Sequence, residues 1–128
     1  SCVDFLPTVL KLMDVKTPGQ EQGRDASSLF MDCGGQWDDL AFLRSTPGNA
    51  WLCAVSDRYK LVISAEDQPW LFDLATDPDE LVNRAGDPAL RNTLRTFAAG
   101  IQQYCKDYDD PHGQIPEIQQ SLREILGK

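Results

Sequence analysis

The only histidine of the chain, His112, is the first residue to consider for catalysis, because serine and cysteine nucleophiles usually need a nearby imidazole as base. It lies in the turn Asp110-Pro111-His112-Gly113. A histidine in such a turn is more often an exposed surface residue than a ligand contact, and the second interpretation stays open. We therefore predict no catalytic residue in this chain.

Clusters of acidic residues also give no metal site. Asp107, Asp109 and Asp110 lack the central glycine and distal glutamate of an EF-hand loop, so a solvated helix end is predicted. Asp38-Asp39 is predicted to be a turn. Phosphate-binding glycine loops, GxSxG elbows and HExxH helices do not occur in the sequence, and the mechanisms that they encode have no support.

The four cysteines are Cys2, Cys33, Cys53 and Cys105. They include no CxxC pair, which argues against a structural zinc site. Buried thiols are the favoured interpretation. Disulfides in any of three pairings remain open, because the sequence does not choose among them.

Three tryptophans, Trp37, Trp51 and Trp70, could stack on a sugar ring. Trp51 and Trp70 lie in strand-like runs, where a tryptophan is more often part of the core. Trp37 follows Gly34-Gly35 and is predicted to be the most exposed of the three.

The composition is that of one soluble-type domain. The chain has 128 residues, of which 41% are hydrophobic and 25% charged, and a net charge of −8. Its Lys and Arg residues are scattered, which disfavours nucleic acid and anionic membranes as partners. No apolar run reaches the ~18 residues of a membrane helix. The start Ser1-Cys2-Val3-Asp4, without an initiator Met, is expected for an excised piece or a processed product.

The first predicted helix is apolar over an unusually wide arc. Asp4 is placed to cap it, and Pro7 fits its first turn. Its apolar residues cover about half of the circumference, against roughly 100° for a one-sided helix. They are Val3, Phe5, Leu6, Val9, Leu10, Leu12 and Met13. Such a helix is predicted to pack on two neighbours, the second of which is expected outside this chain.

Four short strands are predicted after an irregular connection. Residues 16–39 contain one short helix, at 26–31, and are otherwise poor in periodic pattern. The strands, at 40–45, 50–56, 59–65 and 70–74, are separated by short turns and should pair as an antiparallel meander. In the third strand Tyr59, Leu61 and Ile63 share one face, opposite Lys60, Val62 and Ser64.

Two Asp-Pro sequences, Asp77-Pro78 and Asp87-Pro88, predict helix starts. The second opens the longest helix, in which Leu90, Leu94, Phe97, Ile101 and Tyr104 form one narrow apolar stripe. A last amphipathic helix is predicted over 115–126. The fold class is therefore α+β, a four-stranded antiparallel sheet with a long helix packed across it.

Several of these sequences together resemble the C-terminal region of the sulfatases, a family of the alkaline phosphatase superfamily. The strand RYKLVI, from Arg58 to Ile63, is followed by LFDL at 71–74, DPDE at 77–80 and Asn83, as in the family pattern. DFLPT at 4–8 is similar to the family's D-x-x-P-T helix, and the segment from Gly23 to Leu29 to its G-x-[SD] segment. The matches run in family order from Val3 to about Lys106.

The resemblance implies a division into three parts. Residues 1–15 would be a linking helix that belongs to a missing large α/β domain, 16–39 an irregular connection, and 40–128 the C-terminal subdomain. The parent would cleave sulfate esters with a calcium ion and a formylglycine made in a C-x-[PA]-x-R motif. None of the four cysteines stands in that motif, so no catalysis by this part alone and no cofactor of its own are expected.

The resemblance also implies partners and a site. The large catalytic domain of the same chain is the expected partner, with self-association through the N-terminal helix as a further expectation. His112, Asn49 and Trp51 are the residues expected on one wall of the substrate cleft, for a sulfated small molecule or glycan. A secreted, periplasmic or lysosomal location is typical of the family.

The sequence departs from the family pattern at two places, which leaves the subfamily open, and two alternative functions also stay open. WLCAVS at 51–56 replaces an arginine-containing strand of many relatives, and Asn83-Arg84 replaces the usual Asn-Leu. The chain could instead belong to a phosphonate or phosphodiester hydrolase of the same superfamily, or be a free-standing interaction module. A free-standing module would bury the Phe5, Val9 and Met13 face within itself.

Overall fold

The structure, a computed structural model, describes residues 2–16, 19, 21, 23–31, 37, 39–46 and 50–127. It divides the chain into two compact units, Ser1–Asp38 and Asp39–Lys128. In the first unit, the 3-10 helix Cys2–Asp4 leads into helix α1 (Phe5–Leu12), and a short helix, α2, covers Ser27–Met31. Both α-helices agree with the prediction, but the side chain of Asp4 does not cap α1.

The second unit begins with a four-stranded antiparallel sheet whose strands are neighbours in chain order. The strands are β1 (Ala41–Arg44), β2 (Trp51–Val55), β3 (Tyr59–Ser64) and β4 (Trp70–Asp73). Each predicted strand is confirmed to within one residue at either end. Short alternating runs between turn residues were enough to place them.

One face of the sheet is covered by helices α3 (Arg91–Asp107) and α4 (Pro116–Leu126). The 3-10 helix Pro88–Leu90 precedes α3, and another, Pro111–Gln114, joins α3 to α4. The core between sheet and helices consists of Leu52, Ala54, Leu61, Ile63, Leu71, Phe97, Ala98, Ile101, Ile118 and Leu122. This arrangement confirms the α+β fold with a long helix across a four-stranded sheet.

The predicted helix start at Asp77-Pro78 is wrong, because the backbone forms a turn there. Asp77 accepts the backbone N–H groups of Leu81 and Val82 at 3.1 and 2.8 Å. Glu80 has a φ of 55°, in the left-handed region, which a continuing helix does not allow. An aspartate followed by proline serves a turn as well as a helix start, and the local sequence does not distinguish them.

Candidate functional site

The motif residues around β3 and β4 bind each other. Arg58 donates from Nε and Nη2 to the two carboxylate oxygens of Asp73, at 3.3 and 3.1 Å. The hydrogen bonds from Arg58 hold the pKa of Asp73 below its usual value. Lys60 Nζ lies 2.7 Å from Glu80 Oε2. These contacts join the turn after β4 to the start of β3.

Asn83 closes the same turn through both ends of its amide. Its Oδ1 accepts the N–H groups of Leu71 and Ala85, each at 3.0 Å, and its Nδ2 donates to the carbonyl of Pro69 at 3.1 Å. Only an amide side chain offers an acceptor and a donor in this geometry. The motif that carries the resemblance is thus engaged in internal contacts and describes a fold, not a reaction centre.

The motif residues of the first unit have a similar role. Asp4 Oδ1 accepts the N–H of Arg24 at 2.7 Å. Thr8 Oγ1 donates to the carbonyl of Asp4 at 2.6 Å and accepts the N–H of Ala26 at 2.9 Å. The Asp and Thr of the D-x-x-P-T helix therefore hold the segment that follows the connection.

That segment needs its glycine. A Cβ atom on Gly23 would overlap the carbonyl of Val3, so no other residue allows this approach of two backbones. Asp25 then accepts the N–H of Ser27 at 2.8 Å and begins α2.

Helix α1 buries polar residues of its first turns and exposes most of its large apolar residues. The buried residues of its first turns are Asp4, Pro7 and Thr8. Phe5 and Met13 are 72% and 66% exposed. Other large apolar residues beside them are also exposed, namely Val3, Leu6, Leu12 and Val15. An apolar surface of this kind is typical of a contact with another protein segment.

His112 is buried, not exposed as its turn context favours. Its Nδ1 lies 2.9 Å from Asp110 Oδ1, and its Nε2 lies 3.2 Å from Ser45 Oγ. Asp110 also accepts the N–H of His112 and forms an ion pair with Arg44, whose Nε is 3.1 Å from Oδ2. Asp110 and His112 are each 5% exposed and Ser45 is 7% exposed. The prediction of an exposed acidic helix end is therefore wrong for Asp110.

Ser45 contacts His112, and His112 contacts Asp110, which is the order of contacts in a serine–histidine–aspartate hydrolytic triad. The surroundings of Ser45, however, are not those of a nucleophile. A nucleophile must reach its substrate, and Ser45 is buried. Its Oγ also accepts the N–H of Trp51 at 3.2 Å. We interpret this chain of contacts as a structural tie between the base of the β1–β2 hairpin and the connection between α3 and α4.

The structure does not bring together the side chains of the two described residues expected in the substrate cleft, His112 and Trp51. His112 reaches the backbone of Trp51 only through Ser45. The side chain of Trp51 is half-buried and lines the opposite face of the sheet. Asn49 lies outside the described residues. Contact of these three residues with a substrate stays a prediction.

The other tryptophans depart from expectation. Trp70 is 40% exposed and so is not a core residue of the kind predicted. Trp37 is half-buried, and the guanidinium of Arg24 lies 4.2 Å from the centre of its ring.

The face of the sheet opposite the helices, which we call the open face, forms a groove of about 860 Å³. Cross-strand pairing places Cys53 between Leu43 and Val62, and Val62 beside Trp70. Its remaining apolar residues are Trp51, Val55, Phe72 and Leu74, and its rim includes Glu66, Asp67 and Glu80.

Burial disfavours the reactive thiolate form of two cysteines, Cys53 and Cys105. Cys53 and Cys105 are both free, and burial raises the pKa of each to about 11. In the described ranges no group of three metal-ligating side chains occurs. No helix among these same residues has the length and hydropathy to cross a membrane.

Comparison with known proteins places the fold. No family model matches the chain. The chain is 30% identical over 114 residues to the "Multifunctional alkaline phosphatase superfamily protein PehA" of Trinickia caryophylli. This match covers 75% of the chain and 22% of the relative, so the chain spans about a fifth of its length.

Solved structures show where such a fold occurs. A protein in complex with its substrate D-glucosamine-2-N,6-O-disulfate has a TM-score of 0.72 at 21% identity, over 84% of this chain and 24% of that one. A 2-O GAG sulfatase has a TM-score of 0.73 at 20% identity, over 87% and 26%. The phosphonate monoester hydrolase of Agrobacterium radiobacter has a TM-score of 0.51 at 25% identity, over 87% and 24%. The four-stranded sheet and its helices have the fold of the C-terminal part of sulfatases.

No sequence pattern predicted the buried contact between Ser45 and His112. Ser45 and His112 are 67 positions apart, and neither stands in a motif of the family pattern. Only the pairing of β1 with β2 and the return of the chain after α3 bring them together. The Asp-Pro-His sequence was a signal for a capped turn, and Asp110 does cap it.

Proposed function

We propose that this chain is the C-terminal subdomain of a sulfatase, a sulfuric ester hydrolase, and that it scaffolds a large α/β catalytic domain of the same parent chain. Helix α1 carries this proposal. Its polar residues hold its own unit together, while its apolar residues remain exposed. Covering side chains such as Phe5 would stabilise the assembly by about 1.5–3 kcal/mol each.

Catalysis is assigned to the missing domain. As the resemblance implies, a formylglycine would supply the nucleophile there and a calcium ion would stabilise charge on the sulfate. The residues described above bind one another, and we assign this chain no step of the reaction. A secreted, periplasmic or lysosomal location belongs to the same proposal.

The β1–β2 hairpin is proposed to line one wall of the substrate cleft. Asn49, which precedes β2 in the sequence, and the backbone of Trp51 are proposed to face the sugar, since the side chain of Trp51 lines the open face of the sheet. His112, which is buried, would act on the cleft through the hairpin that it holds. A sulfated sugar is the proposed substrate class, in keeping with the disulfated glucosamine bound by one protein of the same fold.

The second candidate function is hydrolysis of phosphonates or phosphodiesters. It is supported by the match at 25% identity to the phosphonate monoester hydrolase of Agrobacterium radiobacter. The fold favours a sulfatase, because the TM-scores for sulfated-substrate and sulfatase structures, 0.72 and 0.73, exceed the 0.51 for the phosphonate monoester hydrolase.

Two observations on the parent protein test these proposals. A Cys or Ser in a C-x-[PA]-x-R context upstream of Ser1 would support the sulfatase, whereas a nucleophilic Thr or Ser outside that context would support the second candidate. Purified parent protein should then hydrolyse an aryl sulfate faster than an aryl phosphonate. The reverse preference would overturn the first proposal.

A further inference from the structure

We propose that the open face of the sheet is a docking surface for an apolar segment flanked by Lys or Arg, supplied by the N-terminal remainder of the parent chain. This inference rests on the proposed function and names the contact by which the scaffold would hold the catalytic domain. It is independent of helix α1, since the open face belongs wholly to the second unit.

The open face does not have the residue composition of a sheet face that stays in contact with water. An antiparallel sheet covered on one side normally carries polar residues on the other. Here the helix-covered face is apolar, and so is the open one. On the strands, its only polar residues that line the groove are Lys60 and Ser64. A sheet that is apolar on both faces is typical of the middle layer of a three-layer arrangement.

Some residues that line the groove are buried, whereas others are largely exposed to solvent. Phe72 and Cys53 are 7% and 3% exposed, whereas Trp70 and Leu43 are 40% and 48% exposed. Trp70 stands edge-on to Phe72 with ring centres 6.4 Å apart. An exposed tryptophan that packs on buried apolar residues is typical of an anchor residue at a protein interface.

The negative charge at the edge of the groove determines which kind of segment can bind there. Among the described residues that line the groove, the one cation is Lys60, and it is paired with Glu80 at 2.7 Å. Glu66 and Asp67 then leave the rim negative. A sulfated sugar and a second copy of this acidic face would both be repelled, while Lys or Arg beside an apolar segment would be attracted.

A source for that segment follows from the comparisons. The match covers only 24% and 26% of two of the chains that share the fold. A parent of that size has about three-quarters of its length to supply a third layer.

Thiol labelling in the full-length parent tests the coverage. Ser64 on the open face and Gln120 on the outer side of α4 are exchanged separately, as Ser64→Cys and Gln120→Cys. We expect Cys at 64 to react with a maleimide at least about tenfold more slowly, as for a site that must open locally before it reacts. Equal rates at native pH would overturn the docking surface.

Photo-crosslinking identifies the occupant. With p-benzoylphenylalanine at position 70 of the parent, we expect a crosslink to a Lys- or Arg-containing peptide from the N-terminal remainder of the same molecule, and none of this kind from position 120. A crosslink between two copies, or capture only of a sulfated sugar, would overturn the inference. Glu66→Lys with Asp67→Lys should lower the yield from position 70, and an unchanged yield would contradict the charge argument.

The two proposals fail separately. A parent that hydrolyses sulfate esters but leaves position 64 unprotected retains the proposed function and loses the docking surface. A parent with a protected position 64 and no sulfatase activity loses the proposed function.

Discussion

At the residue scale, the polar side chains that look chemically interesting are engaged in holding elements together. Arg58 and Asp73 join two strands, and Asp110 joins a turn to Arg44 and His112. Each of these carboxylates has partners for both oxygens. Since the groups are satisfied internally, their removal should reduce stability before it affects any chemistry.

The pair of Arg58 and Asp73 predicts a pH dependence. The folded pKa of Asp73 lies below its unfolded value, so the pair stabilises the fold above the ordinary aspartate pKa and this stability is lost as pH falls through the lowered pKa. Because the Arg58 side chain is 55% exposed, solvent screening should keep the loss of stability in Asp73→Asn small at neutral pH.

Urea unfolding of both proteins measures this effect. The difference between wild type and Asp73→Asn should be present at about pH 7 and should shrink as the pH falls through the lowered pKa of Asp73, where the carboxylate of the folded wild type becomes protonated. Asp79→Asn, at an exposed position, is the matched control. A difference that persists unchanged in acid would contradict the ion pair.

The buried tie predicts a larger effect. Asp110→Ala removes the partner of Arg44, the cap of the turn and the hydrogen bond to His112, and should lower the free energy of unfolding by about 3 kcal/mol. Asp107→Ala, at an exposed carboxylate of the same helix end, should change it by less than about 0.5 kcal/mol. Equal losses in thermal unfolding would show that the tie does not stabilise the fold.

At the element scale, the sequence predicts those strands and helices that are determined by local hydrophobic patterns. The strands follow from alternation between short turns, and the stripe of α3 from its 3.6-residue period. All five residues of that stripe, Leu90, Leu94, Phe97, Ile101 and Tyr104, lie in or against the core. The prediction of a helix at Asp77 is wrong because the conformation there depends on contacts with residues distant in sequence. Asn83 contacts Leu71, and Glu80 pairs with Lys60.

Thr8 tests the role of the D-x-x-P-T helix. Thr8→Val keeps the shape of the side chain but leaves the N–H of Ala26 without its acceptor, which should cost about 1–3 kcal/mol. Thr8→Ser retains the hydroxyl and should lose much less. Hydrogen exchange at the amide of Ala26 reports this contact directly, and equal protection in both variants would refute it.

At the scale of the whole molecule, the hydrophobic patterns and turn residues predicted the fold, and the resemblance indicated the family in which it occurs. The structure adds two exposed apolar surfaces. Helix α1 and the open face of the sheet both present large apolar residues, including Phe5 and Trp70. The wide apolar arc of α1 was visible in the sequence. The groove on the open face was not, because Trp51 and Trp70 at strand positions suit a core as well as an interface.

The central claim is that this chain supports a catalytic domain and does not itself catalyse. Its most direct test is sulfate-ester hydrolysis measured side by side, with added calcium, for the full-length parent and for this chain alone. The account predicts turnover by the parent and none by the chain. Sulfate-ester turnover by the purified chain alone, surviving controls for contaminating enzyme, would contradict it.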